Sequence, residues 1–416
     1  MKRRVFVKSV MAGAFSSLSV LQCQENSRLS DIYSRLDNEL ARPVLKHQLF
    51  DAPAVIREID LLHYRDNFIC RAISEEGATG YSVSNNAHMR YLYPIVVKKI
   101  IPFFIGKDAR NLDRLIDDVY LHDSNYKLQG LAFWISLATV EFAILDLLGR
   151  MAGKPIGELI GEIHNPEIAV YRANNYRGLS AEESIQRIKR NVEQSAAKAV
   201  KFKIGGRMRK DMDDPPGRTE KLIPLVRKTF GEEMILYADS NGSYSEKKAV
   251  EIGRLLEKYS VNFYEEPVPF DWYEETRCVA DALTIPIAGG EQEPSMRNFR
   301  WLIANDALQV VQPDMFYFGG MVRSMKVARM AHCLGKICTP HISGSGLGYV
   351  YMVQFVSALP NAGPFHEFKG INPYIPFDCP SSSLKSENGV VTVPTGPGLG
   401  LSLDPGFLKR HTRVTG

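Results

Sequence analysis

The sequence predicts an α/β protein with a (β/α)8-type barrel of the (β/α)7β form and an N-terminal α+β capping domain. Three observations lead to this prediction. After about residue 167, short apolar segments alternate with amphipathic helical segments, which is the element order of a parallel barrel. Several apolar segments end at an acidic residue or a histidine, at intervals of about one strand–helix repeat. The length of 416 residues exceeds what one compact core needs and leaves room for a second domain.

The first 23 residues have the composition of an export signal. The basic segment 2–8 precedes an apolar stretch, residues 10–21, which is too short to cross a bilayer as a helix. A basic start and a short apolar core are typical of a signal peptide, and RRVFVK resembles a twin-arginine signal. We therefore expect residues 1–23 to direct the protein to the periplasm, and we expect no stable membrane span. A lipid anchor at Cys23 is a second interpretation, which the bulky Gln22 before it disfavours.

The other domain boundaries follow changes in the sequence pattern. Residues 46–165 mix strand-like and helical segments and form the predicted capping domain. Residues 166–372 form the predicted barrel, with eight strand segments: IAVYRAN, AVKFKIGG, MILYADSN, VNFYEEP, PIAGGE, ALQVVQPD, KICTPHI and PFHEF. In the first intervening helix, Ser180 and Glu183 make a capping-box signature. The turn-rich segment 373–416 is expected to pack on the capping domain.

Composition and charge exclude some classes of function. The net charge of +4 is small for this length, and no stripe of Arg and Lys is interleaved with aromatic residues, so we expect no nucleic-acid partner. The six cysteines contain no CxxC pair and no metal-ligand spacing. These features favour an enzyme or binding protein for a small molecule.

Five polar residues stand at equivalent places near the ends of successive predicted strands. Their spacings are 26, 26, 23 and 27 residues, each close to one strand–helix repeat. Because the C-terminal ends of barrel strands face the active site, the five side chains are expected to converge on one mouth. They are Asp239, Glu265, Glu291, Asp314 and His341.

Two lysines on the second predicted strand point to the same mouth. Alternate residues of a strand share a face, so Lys201 and Lys203 lie together, opposite Val200 and Phe202. The three carboxylates of the mouth would repel one another unless a cation lay between them. Oxygen ligands from neighbouring strands suit Mg²⁺, and no Cys or His stands with them at zinc spacing.

These residues, in this order, resemble the enolase superfamily and within it the mandelate racemase subgroup. The resemblance runs from about residue 50 to the C-terminus and implies the barrel and cap predicted above. It also implies an enzyme that removes the proton from the carbon next to a carboxylate, with Mg²⁺ held by the three acids. The motifs that carry it are Lys201-x-Lys203, Asp239 in ADSN, Glu265 in EEP, Glu291 in GGE, Asp314 in QPD and His341 in TPHISGSG.

The resemblance implies a role for each remaining residue of the motifs. Lys203 would be the base on one face of the substrate, and Lys201 would bind and neutralise a substrate carboxylate oxygen. His341, oriented by Asp314, would form the acid/base pair on the opposite face. Glu367, in PFHEF, stands where the family carries a further acid that binds substrate.

Specificity is expected from residues at the rim of the mouth. Arg172 and Asn174, at the end of the first barrel strand, would add hydrogen-bonding groups there. The segment 77–89 is rich in Gly and Asn and is expected to be a mobile lid, from which Tyr81 would contact substrate hydroxyls. A plain surface turn is the alternative. The long segment 205–218 would reshape the rim or form a contact in an expected homo-oligomer.

Several reactions remain compatible with this set of residues. A polar rim favours a hydroxylated substrate, so the first hypothesis is dehydration of a sugar acid to a 2-keto-3-deoxy acid. A racemase or epimerase would use the same two-sided site, and a cycloisomerase would share its first step. A non-catalytic sugar-acid-binding protein is a hypothesis of another class. It predicts lost acid/base or metal residues, whereas all of them are present.

Overall fold

The computed structural model describes residues 27–344, 346–371 and 374–415. The expected signal peptide, residues 1–23, and Cys23 lie outside these ranges. The described chain contains the capping domain, the parallel barrel and a C-terminal segment that contacts both. The prediction of fold class is therefore confirmed.

The capping domain is an antiparallel sheet packed on helices. Strands β1 (Ile56–Tyr64), β2 (Asn67–Ser74) and β3 (Thr79–Val83) pair in sequence order. A Cβ at Gly80 would lie 2.2 Å from the Leu147 nitrogen, so the sheet lies directly on the helix that carries Leu147. The helices of the domain are α2 (Asn86–Ile95), α3 (Ile101–Phe104), α4 (Leu112–Leu121), α5 (Leu131–Ala152) and α6 (Ile156–Ile160), with a π turn at Val96–Ile100 and 3₁₀ turns at His47–Leu49, Ala109–Asn111 and His122–Leu128. A helix that precedes the domain, α1 (27–41), instead bonds residues of the barrel, as Asp37 does with Arg300.

Helix α5 forms the core of the capping domain. It is long and apolar enough to cross a membrane by length and composition, but 89% of its most apolar window is buried inside the protein. A helix that is apolar on all sides is typical of a protein core as well as of a membrane. No other helix in the described ranges meets the same criteria.

The barrel has eight parallel strands and seven intervening helices within the described residues. Strand β11 pairs with β4, and a bridge between Cys338 and Ala362 joins β10 to the segment before β11, which closes the ring. The strands are β4 (Glu167–Asn174), β5 (Ala199–Lys203), β6 (Ile235–Asp239), β7 (Phe263–Glu265), β8 (Ile287–Gly289), β9 (Val310–Val311), β10 (Ile337–Cys338) and β11 (His366–Glu367). The helices are α7 (Ala181–Ser195), α8 (Arg218–Phe230), α9 (Glu246–Lys258), α10 (Tyr273–Ala282), α11 (Met296–Ala304), α12 (Met321–Cys333) and α13 (Gly348–Ser357).

An apolar layer fills the barrel below its mouth. The rings of Tyr237 and Phe263 stack in it at 3.8 Å between centroids. Because side chains alternate along a strand, the residue two positions after a layer member points to the mouth, as Lys201, Asp239 and Glu265 do. The layer consists of Tyr171, Ala199, Tyr237, Phe263, Ala288 and Val310.

The C-terminal segment joins the two domains. Its strand β13 pairs antiparallel with β4 of the barrel, and β15 pairs antiparallel with β1 of the cap. Arg150 of α5 donates to the Leu401 carbonyl at 2.9 Å. The elements of the segment are β12 (Phe377–Asp378), β13 (Val390–Thr392), β14 (Ser402–Leu403), α14 (Pro405–Leu408) and β15 (Thr412–Arg413).

Asp146, buried on α5, provides a test of this junction. Its carboxylate accepts bonds from the N–H groups of Tyr81 and Leu399, both at 2.8 Å, and from Arg150 Nε at 2.9 Å. Asp146→Asn replaces one acceptor oxygen by an NH₂ group that faces a donor. We expect it to lower the free energy of unfolding in urea by about 1–3 kcal/mol. Asp118→Asn is the control, because the Arg114–Asp118 ion pair is exposed and contributes less than about 1 kcal/mol. An equal loss of stability in the two variants would contradict a stabilising role for the hydrogen bonds of Asp146 at this junction.

Candidate active site

The mouth of the barrel brings together the three predicted metal ligands. Asp239 ends β6, Glu265 ends β7, and Glu291 follows β8 after the turn at Gly290. One carboxylate oxygen from each acid lies within 4.8 Å of the other two, and all three side chains are buried. Buried acids this close repel one another unless positive charge lies among them.

Two lysines supply part of that charge. Lys201 Nζ lies 2.8 and 2.9 Å from the two Glu265 oxygens, 3.2 Å from Glu367 Oε2 and 3.8 Å from Asp239 Oδ2. Burial alone would lower the pKa of Lys201, but the surrounding acids outweigh burial and raise that pKa well above its ordinary value. Lys203 Nζ pairs with Asp239. Lys201 is therefore a fixed cation, whereas Lys203 pairs with one acid among the described residues and has a partly exposed side chain.

The charge of the acids is not fully balanced by the lysines. Burial and the nearby Asp239 raise the pKa of Glu265 to about 8 despite Lys201. Burial opposes ionisation of Asp239, but Lys203 and Lys201 hold its pKa below the ordinary value. Glu291 Oε2 has no hydrogen-bond donor in the described chain. An unsatisfied oxygen in an all-oxygen cluster fits a hard divalent cation such as Mg²⁺.

His341 and Asp314 form a hydrogen-bonded pair at the other side of the cluster. His341 Nδ1 lies 2.6 Å from Asp314 Oδ2, and its Nε2 lies 3.4 Å from Glu291 Oε2. Asp314 Oδ1 also accepts the N–H groups of Phe316 and Tyr317, both at 2.8 Å. Burial would lower the pKa of His341, but Glu291 and the bond to Asp314 raise it to about 9. The imidazole thus has one nitrogen fixed and the other facing the cluster.

The two candidate acid/base groups flank the acids. Lys203 contacts Asp239, the first acid of the cluster along the chain, and His341 lies next to Glu291, the last. Their strands are separated in the ring, since Lys203 ends β5 and His341 follows β10. A substrate carbon held over the cluster would therefore lie between an amine and an imidazole.

Asn241 is a site residue that the sequence reasoning missed. Its Nδ2 lies 3.4 Å from Asp239 Oδ2, 3.3 Å from Glu266 Oε2 and 3.4 Å from Glu291 Oε1. Arg177 Nη1 donates to its Oδ1 at 3.0 Å, which fixes the amide nitrogen toward the acids. The available signal was the Asp-x-Asn spacing in ADSN, where the asparagine follows the ligand by two residues.

Glu266 and Gln312 also belong to the site. A regular strand would turn Glu266 to the face opposite Glu265, but its φ of +43° breaks the alternation. Glu266 Oε1 is buried without a hydrogen-bond partner among the described residues. Burial and the nearby Glu291 raise its pKa well above the ordinary value. Gln312 Nε2 donates to Glu265 Oε2 at 3.0 Å. Its position two residues before Asp314 was the sequence signal.

The structure does not bring Arg172 and Asn174 to the mouth. Tyr171 belongs to the interior layer. Arg172 and Asn174 follow it by one and three residues, so strand alternation turns both side chains outward. Asn174 Oδ1 accepts from Asn191 of α7 at 2.6 Å, and Arg172 donates to the Lys369 carbonyl at 2.7 Å. The expectation that they line the rim is corrected by this register.

Of the other two specificity candidates, Glu367 reaches the site and Tyr81 does not. Glu367 is buried at the mouth beside Lys201. Tyr81 pairs across β2 and β3 with Arg71, whose guanidinium bonds Asp60 within the capping domain. The contribution of the cap near the site comes instead from Asn85, whose Nδ2 donates to Ser343 Oγ at 3.1 Å.

Comparisons with known proteins agree with this geometry. A family model described as Enolase C-terminal domain-like matches residues 183–407, more than half of the chain. The chain is 26% identical over 339 residues to the arabinonate dehydratase of Saccharolobus solfataricus, covering 81% of this chain and 88% of that relative.

Two solved structures share the whole architecture. The mandelate racemase/muconate lactonizing protein from Paracoccus denitrificans PD1222, complexed with magnesium, has a TM-score of 0.76 and 25% identity over 87% of this chain and 99% of that one. The 3,6-anhydro-D-galactonate cycloisomerase from Zobellia galactanivorans has a TM-score of 0.71 and 26% identity over 86% of this chain and 99% of that one.

Proposed function

Because the chain belongs to the enolase superfamily, as an enzyme of lyase or isomerase type, we propose that it dehydrates a sugar acid to a 2-keto-3-deoxy acid. The observation that carries the proposal is the two-sided site: three buried carboxylates with Lys203 on one side and the His341–Asp314 pair on the other. The name of the arabinonate dehydratase, a relative of similar length, supports an aldonate as substrate.

The residues present fit a resident Mg²⁺ held by Asp239, Glu265 and Glu291. When bound, Mg²⁺ supplies positive charge that stabilises the negative charge developing on the carboxylate oxygens of the substrate. Lys201 holds the same carboxylate group by its fixed charge. It is fully buried and surrounded by acids, so it keeps its proton and acts as a binding group.

The proton transfers fall to the two flanking groups. Lys203 Nζ or His341 Nε2 accepts the α-proton, according to the configuration of the α-carbon. The imidazolium of His341 donates its Nε2 proton to the β-hydroxyl, which leaves as water, and the enol product then tautomerises to the keto acid. Asp314 keeps the Nδ1 proton in place and so fixes which nitrogen exchanges protons.

Cycloisomerisation is the second candidate function. The cycloisomerase from Zobellia galactanivorans shares the fold at 26% identity, and abstraction of the same α-proton would begin either reaction. The two differ in the leaving group and in the shape of the substrate. Racemisation or epimerisation needs only return of the proton from the opposite side, and the same flanking pair could supply it. Export to the periplasm and homo-oligomerisation stay predictions.

Metal removal tests the proposal. With Mg²⁺ and a panel of aldonates in D₂O, we expect α-proton exchange and formation of a 2-keto acid with at least one of the aldonates. NMR measures the exchange, and a keto-acid assay measures the product. Chelation with EDTA should abolish both, and added Mg²⁺ should restore them. Exchange with inversion and no keto acid would favour an epimerase. Binding of the sugar acids without exchange of the α-proton of any of them would contradict the proposed reaction.

A further inference from the structure

The capping domain contacts the barrel at the histidine side of the site. Asn85, one residue before α2, is 1% exposed, and its Nδ2 donates to Ser343 Oγ at 3.1 Å across 258 residues of chain. His88, one turn further, packs edge-on against Tyr317 at 5.5 Å between ring centroids. Tyr317 and Ser343 both bond Asp314, so the cap contacts the residues that surround this carboxylate.

The bonds around Ser343 have a defined direction. His88 Nδ1 lies 3.1 Å from Asn85 Oδ1, and a ring N–H directed at that oxygen leaves the Asn85 amide nitrogen facing Ser343. The Ser343 hydroxyl accepts from Asn85, so its own proton is free for Asp314 Oδ1, which lies 2.9 Å away. A hydroxyl has one proton to donate. A donor at residue 85 leaves the Ser343 proton for Asp314, whereas an acceptor at residue 85 would take that proton from Asp314.

The chain of bonds ends on the imidazole. Asp314 Oδ2 accepts the Ser343 N–H and faces His341 Nδ1 at 2.6 Å. With both oxygens occupied by Ser343 and by the neighbouring N–H groups, the carboxylate cannot rotate without losing bonds. Asn85 is therefore connected to His341 through two intermediate side chains.

Among the described residues, no such connection to the capping domain exists on the lysine side of the site. Lys203 Nζ pairs with Asp239, and Arg218 of the barrel donates to the Lys203 carbonyl at 2.9 Å. Within the described residues, the side-chain hydrogen bonds and ion pairs of Lys203 all come from the barrel. The two flanking groups thus differ in their support: one is held by the barrel alone, the other by barrel and cap together.

We propose that Asn85 is a positioning residue for His341, so that the capping domain sets the geometry of one acid/base group and leaves the other untouched. The proposal rests on the assigned role of His341 in proton transfer. It makes the two faces of the substrate unequal. Proton transfer on the face toward His341, the imidazole face, requires the contact between Asn85 and Ser343, and transfer on the face toward Lys203, the lysine face, does not.

The test is Asn85→Asp, with Asn86→Asp as the matched control. A carboxylate at residue 85 accepts the Ser343 proton and removes it from Asp314. Asn86 undergoes the same chemical change, but it bonds only within the cap in the described chain: to Asn67, Ser84 and the Phe68 N–H, at 3.1, 3.0 and 2.9 Å. We expect Asn85→Asp to lower exchange on the imidazole face about 10–100-fold, the range found when a residue that orients a metal-binding histidine is lost. Exchange on the lysine face should stay unchanged, and Asn86→Asp should alter neither.

Exchange is measured with substrates of both α-configurations in D₂O, which present the α-proton to opposite faces. Equal slowing on both faces, or no slowing on either, would overturn the proposal. Ser343→Ala is the second variant if Asn85→Asp does not fold, because it removes the hydroxyl and leaves the backbone N–H bond to Asp314. It should slow the imidazole face alone, and uniform loss would count against the proposal.

A measurement without substrate separates this inference from the proposed function. The Nδ1 proton between His341 and Asp314 should give a low-field ¹H resonance that disappears in His341→Gln. We expect the resonance to shift in Asn85→Asp and to stay in place in Asn86→Asp. A shift in a protein that exchanges no sugar acid would support positioning and reject the proposed function. An unshifted resonance in an active enzyme would reject positioning alone.

Discussion

Lys203→Met is expected to lower α-proton exchange on one face of the substrate by about 10²–10⁴-fold, the usual contribution of a general base. Exchange on the opposite face should persist, because His341 is held by Asp314 and does not depend on Lys203. Methionine keeps the length and the apolar stem of lysine while it removes the amine. The measurement is stereospecific exchange in D₂O with substrates of both α-configurations.

His341→Gln should give the mirror image, with loss on the other face. The control for both variants is their affinity for Mg²⁺, measured by calorimetry. Lys203 pairs with Asp239 in the cluster, so its removal frees a ligand, and affinity for the metal should rise or stay constant. Loss of exchange from both faces in each variant, with metal affinity intact, would contradict a two-base site.

Gly320→Ala is expected to lower the free energy of unfolding by at least about 3 kcal/mol. A Cβ at Gly320 would lie 2.2 Å from Glu141 Oε2, and its φ is +112°. Glu141 is fully buried on α5, and its two oxygens accept the N–H groups of Met321 and Val322 at 3.0 and 2.8 Å. Alanine would displace the carboxylate from the start of α12 and leave these buried groups unsatisfied.

Gly335→Ala measures the cost of a positive φ without a steric clash. Gly335 also has a positive φ, +70°, but a Cβ there would meet nothing within 4 Å. We therefore expect it to cost only about 1–2 kcal/mol, measured beside Gly320→Ala by urea unfolding. If the two variants lost equal stability, the contact between Glu141 and the start of α12 would contribute nothing measurable.

The acids of the mouth could be predicted because strand ends recur at a fixed interval. Asp239, Glu265 and Glu291 each follow an apolar segment, and closure of the ring turns equal places along the chain into neighbouring places in space. The prediction needed only the repeat and the direction of the strands. For the same reason Asp314 and His341 were predicted to lie side by side, and a backbone bridge joins them.

The register of the first barrel strand could not be predicted in the same way. In IAVYRAN both faces begin with apolar residues, Ile168 and Val170 on one and Ala169 and Tyr171 on the other. The structure turns Tyr171 inward, and Arg172 donates to the Lys369 carbonyl. Strand alternation also does not hold at Glu266, where a positive φ breaks the regular strand and Oε2 lies 3.3 Å from Asn241 Nδ2. The contact between Asn85 and Ser343 had no local signal, since it depends on how two domains dock.

The pairing of β15 with β1 has a consequence for how the molecule is made. Leu62 lies opposite Arg413 and His63 opposite Thr412, so this part of the outer edge of the capping-domain sheet is covered only after β15, far along the chain, has left the ribosome. Until then β1 presents unpaired backbone groups, a template for association with other nascent chains. Completion of the first domain therefore waits for the synthesis of β15, and a chain truncated before β15 would keep this edge open throughout its lifetime.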